Sequence, residues 1–465
     1  MFQYFRINDP YRLVGLLGLL ILAWLPFLLD PPGITYPELR HIVLGEKVTE
    51  GYTLYTEIID PTPPLAAWFY GACDWVFGRN ITGRHITAFV LLFLQSVFLG
   101  IMLITKKTFA ENTYAPSLLF SLLTLLSFDM LQLSAELVAF GFMLLALYAL
   151  LTELEFRSSS DETVLNLGLF TGISSLLIFS YALFIPGFML MLLFFTRNTP
   201  RKYLLMVVGF LLPHLLLISC FNLLADVSSL WERFYLPAFH FSVQSFFSLK
   251  ALLIIGALPL FYWLVAIIML NRKAHLTKYQ AQVMQAMWLW FFAALIQIAF
   301  APELRPQSFL PVLPPLAFFF THFLLLIRRR KFANMNTWIM LIGITGMMYL
   351  VRYEKIEAVP LDELIVKSAP AVVTGKRVLN LSADPSLFLN NKSAPAFTYW
   401  PMAEALFSKP DYYENILLVN HLMRVDPPEI ILDPHQLMPG CFDYLPELKK
   451  QYRKTTEGNW VKVSN

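Results

Sequence analysis

The stretch that decides the fold is residues 34–68, ITYPELRHIVLGEKVTEGYTLYTEIIDPTPPLAAW. It is polar, charged and rich in turn residues, although an apolar run precedes it and another follows it. Because long apolar runs cross bilayers, residues 30–84 are expected to lie outside a membrane as one large loop. The loop carries the carboxylates Glu38, Glu57 and Asp60, so it is the first place to look for chemistry.

The composition places the chain among membrane proteins. Of its 465 residues, 57% are hydrophobic and only 14% are charged, and the mean hydropathy is +0.58. Soluble domains carry about 25% charged residues, so the composition argues against a soluble fold. The net charge of +3 says little about partners, but no basic patch with interleaved aromatic residues indicates a nucleic acid.

Missing motifs narrow the chemistry further. Cys73, Cys220 and Cys441 are too few for a disulfide framework and lack the spacing of a metal site. The histidines are scattered and no acidic cluster has ligand spacing, so no metal is expected. Without a P-loop or a GxGxxG motif, a nucleotide donor is not expected either. Residues 1–12 lack an apolar segment followed by a small-residue cleavage site, so no removable signal peptide is expected.

Repeated apolar runs predict a polytopic α-helical membrane protein with about eleven transmembrane helices, since roughly 20 apolar residues span a bilayer. The predicted spans are 13–29, 86–104, 114–129, 134–152, 163–178, 181–196, 203–224, 249–270, 280–300, 308–327 and 335–351.

Lysine and arginine residues between these runs predict the orientation, because positive charges near span ends hold a loop in the cytoplasm. With the N-terminus in the cytoplasm, the cytoplasmic loops collect Arg6, Arg12, Lys106, Lys107, Arg157, Arg197, Arg201, Lys202, Arg272, Lys273, Lys278, Arg328, Arg329, Arg330 and Lys331. The short loops of the other face contain little beyond Arg233, Lys250 and Arg305. The C-terminal region is therefore predicted to lie outside the cytoplasm.

Residues 352–465 differ in character and predict a small extracytoplasmic α/β domain. Short apolar runs bounded by Pro, Asp, Gly and Asn predict strands at 377–381, 416–419, 429–432 and 460–463. Helical spacing occurs at 402–407 and 445–452. The sequence thus predicts a transmembrane domain over 1–351, and an α/β domain over 352–465 that is the expected attachment point of a protein partner.

The first loop also has the residue order of a known family. An acid, a helix, a G-x-x-L-Y segment and a D-x-x-P-P-L-x-x-W segment follow one another as Glu38, Gly51, Leu54, Tyr55, Asp60, Pro63, Pro64, Leu65 and Trp68. Residues 305–316, RPQSFLPVLPPL, resemble the family's R-Y-x-L-P-x-x-P-P segment, and residues 427–460 resemble the end of its extracytoplasmic domain. The chain therefore resembles the polyprenyl-phosphate-sugar-dependent glycosyltransferases of the GT-C fold, which include protein O-mannosyltransferases and lipid A aminoarabinose transferases.

The resemblance implies an integral membrane transferase of hexosyl or pentosyl groups in a bacterial inner membrane. Such a protein moves a sugar from a polyprenyl-phosphate carrier to an extracytoplasmic lipid, glycan or protein acceptor. Its partners are membrane lipid and the lipid-phosphate-linked sugar, which is a substrate and not a cofactor.

One position departs from the family pattern. The family opens this loop with two adjacent acids, whereas this chain has Pro37 followed by Glu38. Either Glu38 performs the chemistry alone, or the chain is a non-catalytic GT-C-like component of a cell-envelope assembly or secretion complex. A transporter is a weaker reading, because the middles of the spans lack the acids and bases of ion pathways.

The catalytic candidates are Glu38 and Asp60. A carboxylate in hydrogen-bond reach of the acceptor can take its proton as it attacks the anomeric carbon, and Glu38 matches the family's acid. Its structural alternative is a charge that complements a helix N-terminus. Asp60, before Pro-Thr-Pro-Pro, either shapes the loop beside the sugar or caps a turn.

The substrate-binding candidates are cations, polar groups and an aromatic ring. The resemblance implies that Glu136 is a second acid of the same cavity, whereas its alternative is an interfacial charge at the end of a span. The resemblance also implies that Arg305, followed by Gln307, faces the phosphate. Arginine suits phosphate because it makes bidentate contacts. Arg84, Arg233 and Tyr55 are further candidates from the predicted outer face. The alternative for the two arginines is that they anchor the protein at the membrane interface.

Overall fold

The computed structural model describes residues 1–155, 160–196, 199–239, 244–245, 247–273, 276–359, 364–366, 374–455 and 458–463. Arg157 and Arg197, which contribute to the orientation argument, lie outside these residues. The chain divides into two compact units. Unit 1 comprises Met1–Pro32, Thr82–Ser219 and Phe241–Leu361, and unit 2 comprises Gly33–Ile81, Cys220–His240 and Asp362–Asn465. The division at residue 352 drawn from the sequence stays a prediction.

Helices dominate the described chain. In chain order they are α1 (Phe2–Phe5), α2 (Arg12–Leu29), α3 (Tyr36–Thr49), α4 (Pro64–Phe77), α5 (Ile81–Thr105), α6 (Ala115–Thr124), α7 (Ala135–Glu155), α8 (Asp161–Leu177), α9 (Phe184–Phe195), α10 (Pro200–Leu224), α11 (Val227–Leu230), α12 (Leu236–Phe239), α13 (Leu249–Ile255), α14 (Ala257–Lys273), α15 (Lys278–Ala299), α16 (Leu313–Leu326), α17 (Arg330–Arg352), α18 (Trp400–Phe407), α19 (Tyr413–Val425), α20 (Met438–Tyr444) and α21 (Pro446–Lys449). Short 3₁₀ helices lie at Phe128–Leu131, Phe179–Leu183, Pro306–Val312 and Pro385–Leu389, and a π-helical turn lies at Trp231–Tyr235.

The structure confirms a multi-pass helical membrane protein. Among the described residues, six helical segments are long and apolar enough to cross a membrane. They are Arg12–Leu29, Ile81–Thr105, Ala135–Glu155, Pro200–Leu223, Lys278–Ala299 and Pro306–Leu326. A seventh span arises if α13 and α14, which are bent by 65° at Gly256, are counted together.

The remaining four predicted spans coincide with helices that are shorter or more polar. Helices α6 and α9 have 10 and 12 residues, and α8 has 17. The 10-residue α6 is about 15 Å long, which is well short of the roughly 30 Å of bilayer hydrocarbon. Helix α9 is longer when it is counted with the 3₁₀ turn before it, as the apolar segment Phe179–Phe195. Helix α17 has 23 residues, but its first turns contain charged and amide side chains.

Unit 1 contains a close helix crossing built on glycine. A Cβ added to Gly168 or Gly172 of α8 would lie 2.0 or 2.5 Å from a backbone carbonyl oxygen of α10. A Cβ added to Gly209 of α10 would meet the carbonyl oxygen of α8 residue Leu165 at 2.2 Å. Small residues allow helix backbones to approach closely in membranes, where dispersion contacts replace the hydrophobic effect.

Unit 2 contains a five-stranded mixed sheet that forms the small C-terminal domain. Its strands are β3 (Arg377–Asn380), β4 (Lys392–Ser393), β5 (Ile430–Leu432), β6 (Tyr452–Lys454) and β7 (Trp460–Lys462), and β1 (Gln244–Ser245) and β2 (Glu303–Leu304) form a separate pair in unit 1. The order is β4-β3-β5-β7-β6. The first three strands run parallel, while β7 is antiparallel to both of its neighbours.

The structure corrects two assignments in this domain. The run 416–419 is helical within α19 and not a strand, because Ile416, Val419, Leu422 and Met423 form one buried face with helical spacing. A run of four apolar residues does not by itself distinguish a strand from a helix. The predicted helix at 445–452 is only partly present, since α21 ends at Lys449 and strand β6 begins at Tyr452.

The first loop belongs to unit 2 and joins the sheet. The Ile59 backbone N–H donates to the Ala396 carbonyl at 3.0 Å, and Ile59 forms a parallel bridge with Phe397. The Ile59 side chain is part of the hydrophobic core that contains Leu379 and Ile431 of the sheet. The predicted strands at 377–381, 429–432 and 460–463 are confirmed as β3, β5 and β7, and the first loop packs against this sheet through Ile59.

Candidate functional site

Unit 1 holds a buried ion cluster around Arg305. This residue lies between strand β2 and the 3₁₀ helix Pro306–Val312, and its side chain is 1% exposed. Its Nη1 donates to Asp129 Oδ1 at 3.1 Å and to Gln132 Oε1 at 2.7 Å. Its Nη2 donates to Glu136 Oε2, and its Nε lies 3.4 Å from Glu303 Oε2. The cluster thus joins the start of α7 to the segment before α16.

Gln307 fixes the two backbone segments of this cluster against each other. Its backbone N–H donates to Asp129 Oδ2 at 2.8 Å, and its side-chain Nε2 donates to the Gln132 carbonyl at 2.9 Å. Its Oε1 accepts a hydrogen bond of 2.8 Å from the Ser134 hydroxyl. Gln307 is fully buried, so in this structure it supports the cluster. Its predicted contact with substrate stays a prediction.

The charges of the cluster do not balance. Three carboxylates, those of Asp129, Glu136 and Glu303, surround the single guanidinium of Arg305. Burial of unbalanced charge in a low dielectric is costly, so such a group retains a proton or attracts a cationic group. Within the described residues, no three or more His, Cys, Asp or Glu side chains have the geometry of a metal site.

Of the candidates in unit 1, the structure brings Glu136, Arg305 and Gln307 together. Glu136 stands in the first turn of α7 and is bound to Arg305. Arg84 is a buried residue in the first turns of α5. Sequence reasoning missed Asp129 as a partner of Arg305. The available signal was that Asp129 and Arg305 lie in two short polar connections between predicted spans, 129–136 and 301–307, on the same predicted outer face.

Unit 2 holds a second polar cluster, centred on Asp60. The Asp60 carboxylate is fully buried, and Arg40 donates to its Oδ1 at 3.1 Å and to its Oδ2 at 3.3 Å. The Thr62 backbone N–H donates to Oδ1 at 2.7 Å, and the Thr398 hydroxyl donates to Oδ2 at 2.6 Å. The Arg40 guanidinium also lies 4.6 Å from the centre of the Tyr399 ring. Both carboxylate oxygens therefore have partners that hold the first loop to the C-terminal domain.

These partners set the protonation of Asp60. Burial alone would raise the pKa of the carboxyl, because a low dielectric disfavours the charged form. The positive charge of Arg40 and the hydrogen bonds from Arg40, Thr398 and Thr62 outweigh burial, so the pKa lies below its ordinary value. Asp60 is therefore an anion with a structural role, and its predicted catalytic role stays a prediction.

Tyr55 and Arg233 lie together within unit 2. Tyr55 has a positive φ of 69°, which is strained for a residue with a side chain. Its hydroxyl donates to the Thr62 carbonyl at 2.6 Å, while its own carbonyl accepts a hydrogen bond from Arg233 Nη1. Burial raises the pKa of the Tyr55 hydroxyl well above its ordinary value.

Aromatic rings surround this pair. The Tyr55 ring centre is 5.8 Å from that of Phe221 and 6.5 Å from that of Phe234, and Trp68 stacks on Phe221 at 6.4 Å. Arg233 itself belongs to the π-helical turn Trp231–Tyr235. Such turns are rare and are frequently found at functional sites. Trp68 and Trp231 are exposed and offer aromatic faces to a sugar ring or to lipid headgroups.

Glu38 stands in the first turn of α3. Thr35 is the N-cap of this helix, and its hydroxyl accepts a hydrogen bond of 3.3 Å from the Glu38 backbone N–H. Pro37 occupies the first turn as well, where a fixed φ and a missing N–H suit a helix start. The requirements of a helix start therefore account for the presence of both Pro37 and Glu38 at these positions. Glu38 is buried, so its carboxylate is enclosed by protein.

Solved structures of other proteins are similar to this chain. No family model matches the chain, and no curated protein matches its sequence. The oligosaccharyltransferase AglB from Archaeoglobus fulgidus, solved with an inhibitory peptide and a dolichol-phosphate, is similar with a TM-score of 0.48 and 9% identity, over 98% of this chain and 75% of that chain. The apo form of the Archaeoglobus fulgidus oligosaccharyltransferase gives 0.49 and 10% identity, over 98% and 75%.

ArnT from Cupriavidus metallidurans bound to undecaprenyl phosphate gives a TM-score of 0.47 and 12% identity, over 94% of this chain and 74% of that chain. Over nearly its whole length, this chain is thus structurally similar to the oligosaccharyltransferase AglB and to ArnT, at low sequence identity.

Proposed function

We propose that this chain is an integral membrane glycosyltransferase that moves a sugar from a polyprenyl-phosphate carrier to an extracytoplasmic lipid, glycan or protein. The observation that carries the proposal is the buried cluster around Arg305, where three carboxylates share one guanidinium. Apolar side chains can often replace a buried ion pair without loss of stability, so stability alone is a weak reason for such a cluster. Ionisable groups at a span are by default functional, because their burial is costly.

The proposed reaction assigns one role to each group. Glu38 takes the proton of the acceptor as the acceptor's oxygen or nitrogen forms a bond to the anomeric carbon. The bond between that carbon and the phosphate oxygen breaks, and the polyprenyl phosphate leaves with the electron pair. Glu136 is the second acid that faces the same cavity. Arg305, Arg84 and Arg233 provide positive charge for the phosphate, since arginine is suited to bidentate phosphate contacts.

Arg305 has a further role within this proposal. Its guanidinium nitrogens contact Asp129, Glu136 and Glu303, so it fixes the acids as well as providing charge. Gln307 supports it through Asp129. Tyr55 is fully buried and therefore serves the sugar site by orienting the loop, while the exposed rings of Trp68 and Trp231 provide the stacking surface for the sugar.

The proposed topology has eleven spans in a bacterial inner membrane, with the N-terminus in the cytoplasm. The excess of Lys and Arg in alternate loops supports this orientation. The α/β domain then lies in the periplasm, on the same side as the first loop. A cysteine-accessibility map of single cysteines placed at positions 57 and 411 tests the orientation, and labelling of either from the cytoplasm alone would refute it.

The experiment that tests the function replaces the proposed base. Purified Glu38→Gln protein is assayed in proteoliposomes for transfer from labelled polyprenyl-phosphate sugars. Loss of a general base typically reduces a rate by about 10²- to 10⁴-fold. Glu414→Gln is the matched control, because Glu414 also stands in a first helical turn but is exposed. Equal transfer by both variants and the wild type would remove Glu38 from the mechanism.

A second candidate function is a non-catalytic member of a cell-envelope assembly or secretion complex. It is favoured by Pro37 in the place of an acid and by the helix-start role of Glu38. It predicts that charge removal at Glu38, Asp60 and Arg305 leaves complex formation intact in folded protein. It also predicts a partner that co-purifies in mild detergent through the C-terminal domain. Sugar transfer without such a partner would reject it.

A further inference from the structure

Unit 1 contains a run of four consecutive cations, called here the basic loop: Arg328, Arg329, Arg330 and Lys331. The basic loop begins two residues after the candidate span Pro306–Leu326 and leads into α17. All four residues are exposed. Because they stand directly at the end of a span, they lie at the level where the hydrocarbon of a bilayer meets its polar headgroups. Arg305 precedes the same span, so the basic loop is at the opposite end from the buried ion cluster.

No carboxylate neutralises the basic loop. Within the described residues, none of its four side chains takes part in a salt bridge or a hydrogen bond. The sequence contains no Asp or Glu between Glu303 and Glu354. Other cations of the predicted cytoplasmic face each bind a carboxylate, as do Arg6, Lys106, Arg201 and Lys202. Since paired cations serve the orientation of the chain as well, orientation alone does not require four unpaired charges in one loop.

An exposed apolar stripe on α17 continues from the basic loop. Its members recur at helical spacing and are each 45–67% exposed: Phe332, Met335, Trp338, Ile339 and Ile342. Lys331 lies four residues before Met335 and therefore on the same face of the helix. The stripe is about 15 Å long, which is about half of the roughly 30 Å of bilayer hydrocarbon. It thus has the length of the acyl chains of one leaflet.

The combination of unpaired cations and an apolar stripe decides which molecule fits this surface. Arginine and lysine bind phosphate oxygens, and arginine does so through two parallel hydrogen bonds. A zwitterionic phospholipid carries its own ammonium group, so only a phospholipid with net negative charge offers an anion to this loop. An acidic protein segment would also attract the cations, but it would have to displace the lipids that surround the end of a span. Clusters of four or more cations beside a span are typical of sites for anionic lipids.

We propose that the basic loop and the first three turns of α17 form a binding site for a phospholipid with net negative charge. The cations of the loop bind the phosphate of the headgroup, and an acyl chain lies along the stripe from Phe332 to Ile342. Trp338 lies about 12 Å along the helix axis from Arg330, and therefore beside the acyl chain and not beside the headgroup. Nothing in the proposed transfer reaction uses this surface.

The test measures which lipid contacts Trp338 when the full chain is reconstituted in phosphatidylcholine vesicles. The vesicles contain equal fractions of either phosphatidylglycerol or phosphatidylcholine with brominated acyl chains, which quench tryptophan fluorescence. Subtraction of the quenching in Trp338→Phe isolates the contacts at this residue. Because one cation near an anionic surface contributes a factor of about five, phosphatidylglycerol should be preferred at least about fivefold at low salt. The preference should shrink at about 0.5 M salt, because salt screens exposed charges.

A pair of double variants tests whether the basic loop causes this preference. Arg329→Gln with Arg330→Gln removes two of the four cations and should reduce the preference about fivefold or more. Arg328 and Lys331 stay in place, so positive charge still holds the loop on its side of the membrane. The matched control is Arg272→Gln with Lys278→Gln, which removes two exposed cations beside α14 and α15 and should leave the preference unchanged.

Two outcomes together support the proposal: a salt-sensitive preference for phosphatidylglycerol in the wild type, and its reduction in the loop variant but not in the control. Equal quenching by the two lipids in the wild type at low salt would overturn it, and an acidic protein segment would then be the better candidate for the loop. An equal reduction in both double variants would also overturn it, because the preference would then follow from overall charge and not from this site.

Discussion

Replacement of Asp60 by asparagine separates its structural role from a catalytic one. The substitution keeps the shape of the side chain but removes the charge that faces Arg40. One oxygen that now accepts from the Thr398 hydroxyl or the Thr62 N–H becomes an amide nitrogen. Arg40, whose side chain is 16% exposed, is then left without its buried counter-ion.

The expected loss follows from the burial of this pair. Removal of one partner from a buried ion pair destabilises a protein by about 3–5 kcal/mol, because the other charge stays buried. Since 1.4 kcal/mol is a tenfold change in an equilibrium constant, unit 2 opens roughly 10²- to 10⁴-fold more often. A second substitution, Arg40→Gln, should recover part of this loss, since it removes the stranded charge.

Cys441 reports this opening. It is fully buried in unit 2, and burial raises the pKa of its thiol to about 12, with Asp433 contributing. A maleimide at pH 7 therefore reacts with it only when the unit opens. The assay measures the labelling rate of Cys441 in a chain whose Cys73 and Cys220 are replaced by alanine. The matched control is Asp411→Asn at an exposed acid, which should label at the parent rate.

The refuting result is specific. If Asp60→Asn labels Cys441 at the parent rate while sugar transfer is lost, Asp60 acts in chemistry and the structural reasoning fails. If both rates change together and Arg40→Gln restores protection, the ion pair holds the loop.

The pH dependence of the same carboxyl has a defined sign. Asp60 has a folded pKa below its ordinary value of 3.8, because the Arg40 charge and its hydrogen bonds outweigh burial. A depressed folded pKa stabilises the fold above the unfolded pKa, and this contribution is lost as pH falls through the folded pKa. The protection factors of amides in residues 396–399, measured by hydrogen–deuterium exchange and corrected for the intrinsic exchange rate at each pH, should therefore fall below about pH 4 in the wild type. Asp60→Asn should lack this acid-dependent step.

Three further substitutions test other parts of the fold. Arg305→Gln leaves the three carboxylates without a counter-ion and should lower the yield of monodisperse protein in detergent. Arg305→Lys should give an intermediate yield, because it keeps the charge but loses the planar guanidinium. Equal yields of all three proteins would refute a stabilising role of the cluster. Lys47→Met removes one of the two cations that bind the buried Asp426 and leaves Arg377 in place, so the unfolding free energy in a thiol-labelling assay should fall by less than the roughly 3–5 kcal/mol of a fully unpaired buried charge. The double variant Lys47→Met, Arg377→Gln should approach that loss, and equal losses in the single and double variants would refute the shared pairing. Gly168→Ala should lower the melting temperature, because its Cβ would overlap the backbone of α10 at a cost of about 1–3 kcal/mol. The control Gly346→Ala should leave the melting temperature unchanged, because a Cβ there has nothing within 4 Å. Equal melting temperatures of the two variants would refute the tight helix crossing.

The sequence by itself determined the class and the main helices. Each of the eleven predicted apolar runs contains a described helix, because the length and polarity of a run are local properties. The start of α3 was also local, since Thr35 and Pro37 are a cap and a first-turn proline. The run 416–419 failed because four apolar residues fit a strand and a helix equally, and only the wider pattern of α19 resolves them.

Only the tertiary structure decided the partners of the charged residues. Asp60 binds Thr398, 338 positions away, and Arg305 binds Asp129, 176 positions away. No local pattern encodes such pairs, because they arise when the chain path brings distant segments together and each buried charge requires a counter-ion. In residues 34–68 the sequence identified Asp60 as a candidate, but the fold supplied Arg40 and Thr398 as the groups that keep it charged.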